Sequence, residues 1–446
     1  MGLSESRSAT CFDWQQFQRS TPHFSGSDFQ MLVFRAMVAR SQTPRGSKSN
    51  SASFVDYGGF LTLLALLLKG GEEGSARAAL MLELFLPATT TTVRCADVAQ
   101  MLAELVRCFA ASAPAADDAD SQTTWQFAPT ERDLGPNSLA EYATQPLSSA
   151  SQQALTLAEL SRWLESSDLC LGLISHLTLS LFRLTPAVNE EDCAFDVAPA
   201  IPRCDVAAAD RRHFDTLLTL PFLLFLNSTL PVQFKSRWRL VFSSKVHGES
   251  FTSLANKVTG QGPCIVIVQD KRDAAVFGGY SSGGFVVGPK FTGDEHSFLF
   301  TLRPAIRHYA ATGYGKNFGY LNVNQSTLPN GLGFGGVLDA DYFALHLSDD
   351  YGRGRCARGS SAFVGGPQLS AAPSFQLDSV EVWAVGPKKA GGSSTGARTS
   401  ALDADPETQA LLSMLGKKMA SDGLRDERDD ATASQPAAKL PPSDSF

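Results

Sequence analysis

Ile265-Val266-Ile267-Val268, Ala275-Val276-Phe277, Phe298-Leu299-Phe300, Tyr342-Phe343-Ala344-Leu345 and Val380-Glu381-Val382-Trp383 are short β-branched and aromatic runs with glycines and turn residues between them. Such side chains pack well on a pleated surface, and several short strands separated by turn signals predict an antiparallel sandwich over 235–386. One helix interrupts it early. Phe251, Leu254, Ala255 and Val258 fall at i, i+3, i+4 and i+7 behind Ser250, a good N-cap, and this helix is expected to close one end of the sandwich.

Upstream the period changes. Between about Phe54 and Leu230 apolar residues recur at spacings of three and four, as in Val98, Met101, Leu102, Leu105, Val106 and Phe109. Phe60 to Leu68, the Gly70-Gly71 break and Ala76 to Phe85 read as paired helices, so 51–230 is expected to be all-α, after a flexible segment over 1–50. Downstream, 387–400 is a Lys-, Gly- and Ser-rich linker. Asp405-Pro406-Glu407 then opens a helix over 401–423, with one apolar stripe of Ala410, Leu411, Met414, Leu415 and Met419. Residues 424–446 have the composition of a disordered tail. The fold class expected is α+β.

The chain has 446 residues, 43% of them hydrophobic and 19% charged, with 38 Lys and Arg against 45 Asp and Glu. That apolar content is enough to build a real core, and a net charge of −7 without a basic stripe argues against a nucleic-acid partner. Eight cysteines with no C-x-x-C pair argue against zinc ribbons and a disulfide framework. Neither a signal peptide nor an apolar run long enough to span a membrane is visible, so a cytosolic protein is expected. Met1-Gly2-Leu3-Ser4-Glu5-Ser6 fits the pattern for myristoylation of Gly2, a lipid anchor that binds membranes only marginally without a second contact.

No catalytic constellation assembles. Gly279-Tyr280-Ser281-Ser282-Gly283 fits G-x-S-x-G, but that mechanism requires a helix directly after the serine, and Phe285-Val286-Val287-Gly288-Pro289 cannot start one. Gly331-Leu332-Gly333-Phe334-Gly335-Gly336 fits G-x-G-x-x-G without opening a helix, so its glycines are read as serving turns and close strand approach. His247 beside Glu249 is the one acid–base pair to watch. Asp117-Asp118-Ala119-Asp120 comes nearest to a calcium loop but lacks its Gly and Glu, so no metal and no cofactor are expected.

Trp238-Arg239-Leu240-Val241-Phe242-Ser243-Ser244, His247-Gly248-Glu249-Ser250-Phe251, Val276-Phe277-Gly278-Gly279-Tyr280, Phe298-Leu299-Phe300 and Val380-Glu381-Val382-Trp383, in that order, resemble the landmarks of the TLDc domain family. Gln261-Gly262-Pro263-Cys264, Thr327-Leu328-Pro329-Asn330-Gly331-Leu332-Gly333 and the stretch Leu402 to Leu412 are similar to the mTOR-associated branch of that family, whose members also begin with a myristoylatable Met-Gly.

The resemblance implies a two-sheet β-sandwich with peripheral helices, preceded by an EF-hand-like helical region. It implies no catalytic residue set. It also implies a cytosolic protein at the lysosomal membrane that supports mTOR signalling and binds the vacuolar proton-pumping ATPase through the TLDc domain. On that reading the partner-binding candidates are His247, Gly248, Glu249, Asn330 and Gly331 on sandwich loops, with Leu411, Met414 and Leu415 on the tail helix. The alternative from another class is a hydrolase or oxidation-protective enzyme using the Ser281 loop or His247 and Glu249.

Overall fold

The computed structural model describes residues 11–22, 28–41, 54–68, 75–86, 93–112, 125, 135–148, 154–184, 200–207, 210, 215–338, 342–365 and 368–387. Gly2, the 117–120 acidic run, and Leu411, Met414 and Leu415 lie outside the described residues.

The helical part comprises α1 (Trp14–Ser20), α2 (Asp28–Arg40), α3 (Tyr57–Leu68), α4 (Ser75–Phe85), α5 (Cys95–Ser112), α6 (Pro136–Ser148), α7 (Leu157–Ser166), α8 (Asp168–Leu181) and α9 (Leu220–Thr229). The apolar period of α5 buries Val98, Met101, Leu102, Leu105, Val106 and Phe109, the stripe expected from the sequence. Gly59 of α3 is buried where α2 ends, and a Cβ there would lie 2.2 Å from Ser41 Oγ and 2.8 Å from the Met37 carbonyl.

Four of these helices start alike. Phe12 bridges Val55 and Val93 bridges Leu155, each pair antiparallel and one residue long. The next residue caps the helix: Asp13 and Asp56 accept from the amides of Gln16 and Gly59, and Asp97 and Glu159 bond back to the amides of Arg94 and Thr156. Two helix–loop–helix units, α4–α5 and α6–α7, are thus joined loop to loop.

The strands are β1 (Arg203–Asp205), β2 (Arg237–Ser243), β3 (Cys264–Asp270), β4 (Val276–Ser281), β5 (Phe298–Arg303), β6 (Arg307–Tyr309), β7 (Gly319–Asn322), β8 (Gly331–Phe334), β9 (Leu345–Ser348), β10 (Arg353–Arg355) and β11 (Ser374–Val385). Two further helices, α10 (Ser244–His247) and α11 (Phe251–Val258), follow β2. Among these described strands all pairings are antiparallel except β1 with β2, and two single-residue bridges, Thr259–Phe285 and Val287–Leu321, are parallel.

Three results differ from the expectation. α1 and α2 lie within 1–50, the segment expected to be flexible, and bury Phe17, Phe29, Val33 and Met37 in the helical core. β1 lies inside the stretch expected to be wholly helical, so that stretch adds a strand to the sheet by pairing parallel with β2. The sandwich also lacks two separate sheets: hydrogen bonds link the strands in the order β6-β5-β4-β3-β11-β10-β9-β8-β7. The twelve-residue β11 belongs to both layers, pairing with β10 through Ser374–Gln376 and with β3 and β2 further along. In addition, Tyr342 forms only an isolated bridge, and β9 starts at Leu345.

The apolar run of β3 is continuous because both of its faces are buried. Val266 and Val268 face a core shared with Leu332, Phe334 and Leu347 of the opposite layer. Ile265 and Ile267 face the other way, into a core shared with helical residues such as Leu139, Leu223 and Phe225. Trp125, Trp238 and Trp383 meet in that second core, with Trp125 and Trp383 ring centroids 4.8 Å apart. Each of these large side chains contributes about 1.5–3 kcal/mol by leaving water, so the sheet is stabilised from both sides.

Candidate interaction surface

β2 ends at Ser243, and the single turn of α10 brings His247 back beneath it. Nδ1 accepts from the Ser243 amide at 3.0 Å, and the ring stacks on Phe242. An accepting Nδ1 puts the proton of the neutral ring on Nε2, which lies 3.3 Å from Asp210 Oδ2. The acid that His247 meets is therefore Asp210, and among the described residues no hydrogen bond joins it to Glu249, which is exposed. Gly248 at φ +80° makes the turn, and Ser250 Oγ caps α11, whose Phe251, Leu254, Ala255 and Val258 are all buried as the sequence indicates.

Two further loops emerge beside this one. Gly331 of β8 is opposite both Asn322 of β7 and Ser348 of β9, so the 323–330 and 349–352 loops leave the same end of the layer. Tyr351 connects them to α10: burial pushes its phenol up to about 12, with Ser244 and then Glu249 as its neighbours. The 323–330 loop is held in one shape by reciprocal bonds: the Gln325 amide donates to Asn330 Oδ1 at 2.9 Å and Asn330 Nδ2 donates to the Gln325 carbonyl at 3.0 Å. The Tyr320 hydroxyl adds a bond to the Pro329 carbonyl. Asn324 at φ +56° and Tyr351 at φ +45° hold left-handed backbone at this end. The exposed groups include Glu249, Asn324 to Thr327, Asp349 and Asp350, the last paired with Arg353.

Of the candidates, His247, Gly248 and Glu249 thus share one end of the sandwich with Asn330. Gly331 sits within buried β8 at φ +134°, where a Cβ would lie 2.3 Å from the Leu347 carbonyl, so it fits the strand and is not displayed. Ser281 is fully buried at the end of β4, its Oγ donating to the Gly284 carbonyl at 2.8 Å. Its glycine neighbours admit close packing: a Cβ on Gly278 would meet the Val266 carbonyl at 1.9 Å, and one on Gly279 would meet the Phe334 ring at 2.9 Å. Among the described residues no cluster of three His, Cys, Asp or Glu is placed to hold a metal ion, and no helix is long and apolar enough to cross a membrane.

Glu381 is the site residue that the sequence reading missed. It is 1% exposed on β11 and takes three hydrogen bonds: the Leu217 amide to Oε1 at 2.8 Å, and Thr216 Oγ1 and Trp383 Nε1 to Oε2 at 2.9 and 3.1 Å. Burial pushes its carboxyl up to about 7, against the pull of those donors and of Lys245. Lys245 itself bonds Asp215 at 2.9 Å. Asp210 to His247, Asp215 to Lys245, and Thr216 and Leu217 to Glu381 therefore fasten Asp210 and residues 215–217 to α10 and β11. The available signal was a lone acid in the apolar run Val380-Glu381-Val382-Trp383.

Residues 212–386 match the family model of the TLDc domain, which agrees with the resemblance read from the sequence. The chain is 42% identical over 236 residues to the MTOR-associated protein MEAK7 of Gallus gallus, covering 53% of this chain and 49% of that one. It is 40% identical over 238 residues to the Homo sapiens protein of the same name, covering 53% and 51%. A more distant likeness, 31% identity over 147 residues, is to Oxidation resistance protein 1 of Bos taurus, covering 33% of this chain and 16% of that protein. The chain spans about half the length of the MEAK7 relatives it matches.

Proposed function

We propose that this chain is a non-enzymatic adaptor that supports mTOR signalling at the cytosolic face of the lysosomal membrane and binds the vacuolar proton-pumping ATPase through the loop end of its sandwich. The observation that carries the reading is the TLDc match over 212–386 together with identity near 40% to proteins named as mTOR-associated. The geometry is consistent with it: three loops lie at one end, and one of them, 323–330, is held in shape by its own hydrogen bonds, as binding loops on a scaffold are. Gly2 carries the lipid anchor, and Leu411, Met414 and Leu415 lay an apolar stripe in a partner's groove.

The helical half is EF-hand-like without calcium chemistry in this reading. Loop-to-loop bridging of helix–loop–helix pairs supports it, and the loops 86–94 and 149–156 contain no Asp or Glu. The first acids after them, Asp97 and Glu159, are committed to capping, leaving a calcium ion without its oxygen ligands. The hydrolase or oxidation-protective alternative would need Ser281 to reach solvent and a base, and it has neither among the described residues.

The test is co-purification of the full chain with the ATPase from gently solubilised lysosomal membranes. A charge reversal at the loop end, Glu249→Lys with Asp349→Lys, is expected to reduce recovery several-fold, while Ser281→Ala in a protein that still folds leaves it unchanged. No association under conditions where a MEAK7 relative is retained overturns the reading.

A further inference from the structure

Arg77, in the first turn of α4, is only 8% exposed, yet its charge has no ion-pair partner among the described residues. Nε donates to the Leu66 carbonyl at 3.3 Å and Nη2 to the Leu68 carbonyl at 2.9 Å, which ties it to the C-terminal end of α3. Both acceptors are neutral. Glu165 acts on it only at a distance, and burial, the larger effect, lowers its hold on its proton.

Lys235, 4% exposed, lies at the turn before β2 and lines the same cavity as Arg77, a space of about 230 Å³ between α3, α4, α8 and α9. Lys235 Nζ reaches Asp168 at 2.6 Å, but that carboxylate is 64% exposed and shares its charge with solvent. Ser175 and Ser228 add hydroxyls to the wall. Among the described residues two buried cations face one carboxylate, a net positive charge, and a buried charge without a counter-charge is costly.

We propose that this cavity is a binding site for a phosphate group, with Arg77 and Lys235 as its charged ligands. The fork of a guanidinium matches a tetrahedral oxyanion, and Nη1 of Arg77 is uncommitted among the described residues. Lys235 supplies a point charge and Ser175 a hydroxyl donor, while Ser228 Oγ donates to the Phe225 carbonyl at 2.7 Å and stays part of the wall. The volume suits a small anion or a phosphate monoester headgroup and is below that of a typical drug-sized pocket. The site does not depend on the partner reading.

The test uses the full chain in phosphate-free buffer at constant ionic strength, titrated with inorganic phosphate while the unfolding midpoint is followed. A saturable rise on the order of 2 °C at ten times the dissociation constant is expected, absent with matched chloride. Arg77→Gln and Lys235→Gln are each expected to remove the rise, and Arg77→Lys to restore part of it; midpoints without phosphate show whether each variant is folded. A parallel arm sediments the protein with phosphatidylcholine vesicles containing or lacking a phosphoinositide. Arg77-dependent sedimentation that free phosphate competes away names the lipid headgroup as the source, and a phosphate response without sedimentation names a soluble one. No saturable rise in the wild type, or an equal rise in both Gln variants, overturns the proposal. So does a rise seen only after Glu72→Gln with Glu73→Gln, since the chain's own acidic pair would then be the counter-charge.

Discussion

Glu381 makes the fold sensitive to pH in a direction opposite to that of most carboxylates. Its carboxyl is raised from 4.5 in the unfolded chain to about 7 in the fold, so between those values the folded state holds a proton that the unfolded state has lost. The stabilising contribution is fully present below pH 4.5 and disappears as pH rises through 7. A shift of this size corresponds to about 3 kcal/mol in total, roughly 2 kcal/mol of it between pH 5.5 and 8. Glu381→Gln keeps the shape and stays neutral, so it removes this pH dependence while costing about 1–3 kcal/mol at low pH, where one of the three donors loses its acceptor. Trp383 donates to Glu381 and packs against Trp125 and Trp238, so urea unfolding followed by tryptophan fluorescence reads the site directly. The gap in unfolding free energy between wild type and Glu381→Gln should narrow by roughly 2 kcal/mol from pH 5.5 to pH 8. Two stability profiles that run parallel across that range would refute the assignment of a buried, proton-binding carboxyl.

Gly278→Ala forces a Cβ against the Val266 carbonyl and is expected to lower unfolding free energy by about 3 kcal/mol or more, measured by urea titration. Calcium at millimolar concentration is expected to leave the melting temperature unchanged, because Asp97 and Glu159 are already bonded to the caps they follow; a dose-dependent rise contradicts this. Gly2→Ala is expected to move the protein from the lysosomal to the soluble fraction, and equal sedimentation with wild type would show that the lipid plays no localising role. Leu411→Asp with Leu415→Asp is expected to weaken capture of the ATPase at an unchanged melting temperature, whereas a large fall in that temperature would mean that the stripe docks on its own chain.

Where the sequence was legible, one local rule sufficed. The stripe of α11 behind Ser250 and the stripe of α5 need only helical periodicity, and Ile265 to Val268 need only β-branched content in a short run. What was illegible depends on partners distant in the chain. The continuous run Ile265 to Val268 implies two buried faces, but which partners cover them, the opposite layer on one side and the helical residues on the other, is not visible in its own residues. His247 was matched with the acid two residues away, but a one-turn helix folds the ring back under Ser243 and toward Asp210, 37 positions earlier. Glu381 escaped notice because its acceptor oxygens are satisfied from Thr216 and Leu217, more than 160 residues away. The repeated start of α1, α3, α5 and α7 was hidden by caps of different types, an Asp at two of them, Arg94 and Thr156 at the others.

The fastening of Asp210 and of residues 215–217 bears on where the recurring unit begins. The strands alone suggest a start near residue 235, but the family match begins at 212 and so takes in Thr216, Leu217 and all of α9. The packing gives a physical reason. Ile265, Ile267, Tyr280, Phe298, Phe300 and Trp383 project from the face of the sheet turned away from the inner core, and a sheet left with that face in water would present an apolar patch far beyond what a soluble surface tolerates. α9, buried along most of its length with Leu223, Leu224, Phe225 and Leu226 almost wholly out of solvent, belongs to the core that covers it. Glu381, between Val380 and Val382, is the polar point at which the incoming chain is registered against that face. An apolar residue there would bury as readily but would leave the Leu217 amide and the Trp383 indole without their acceptor, so the carboxylate defines where residues 215–218 dock as well as that they do.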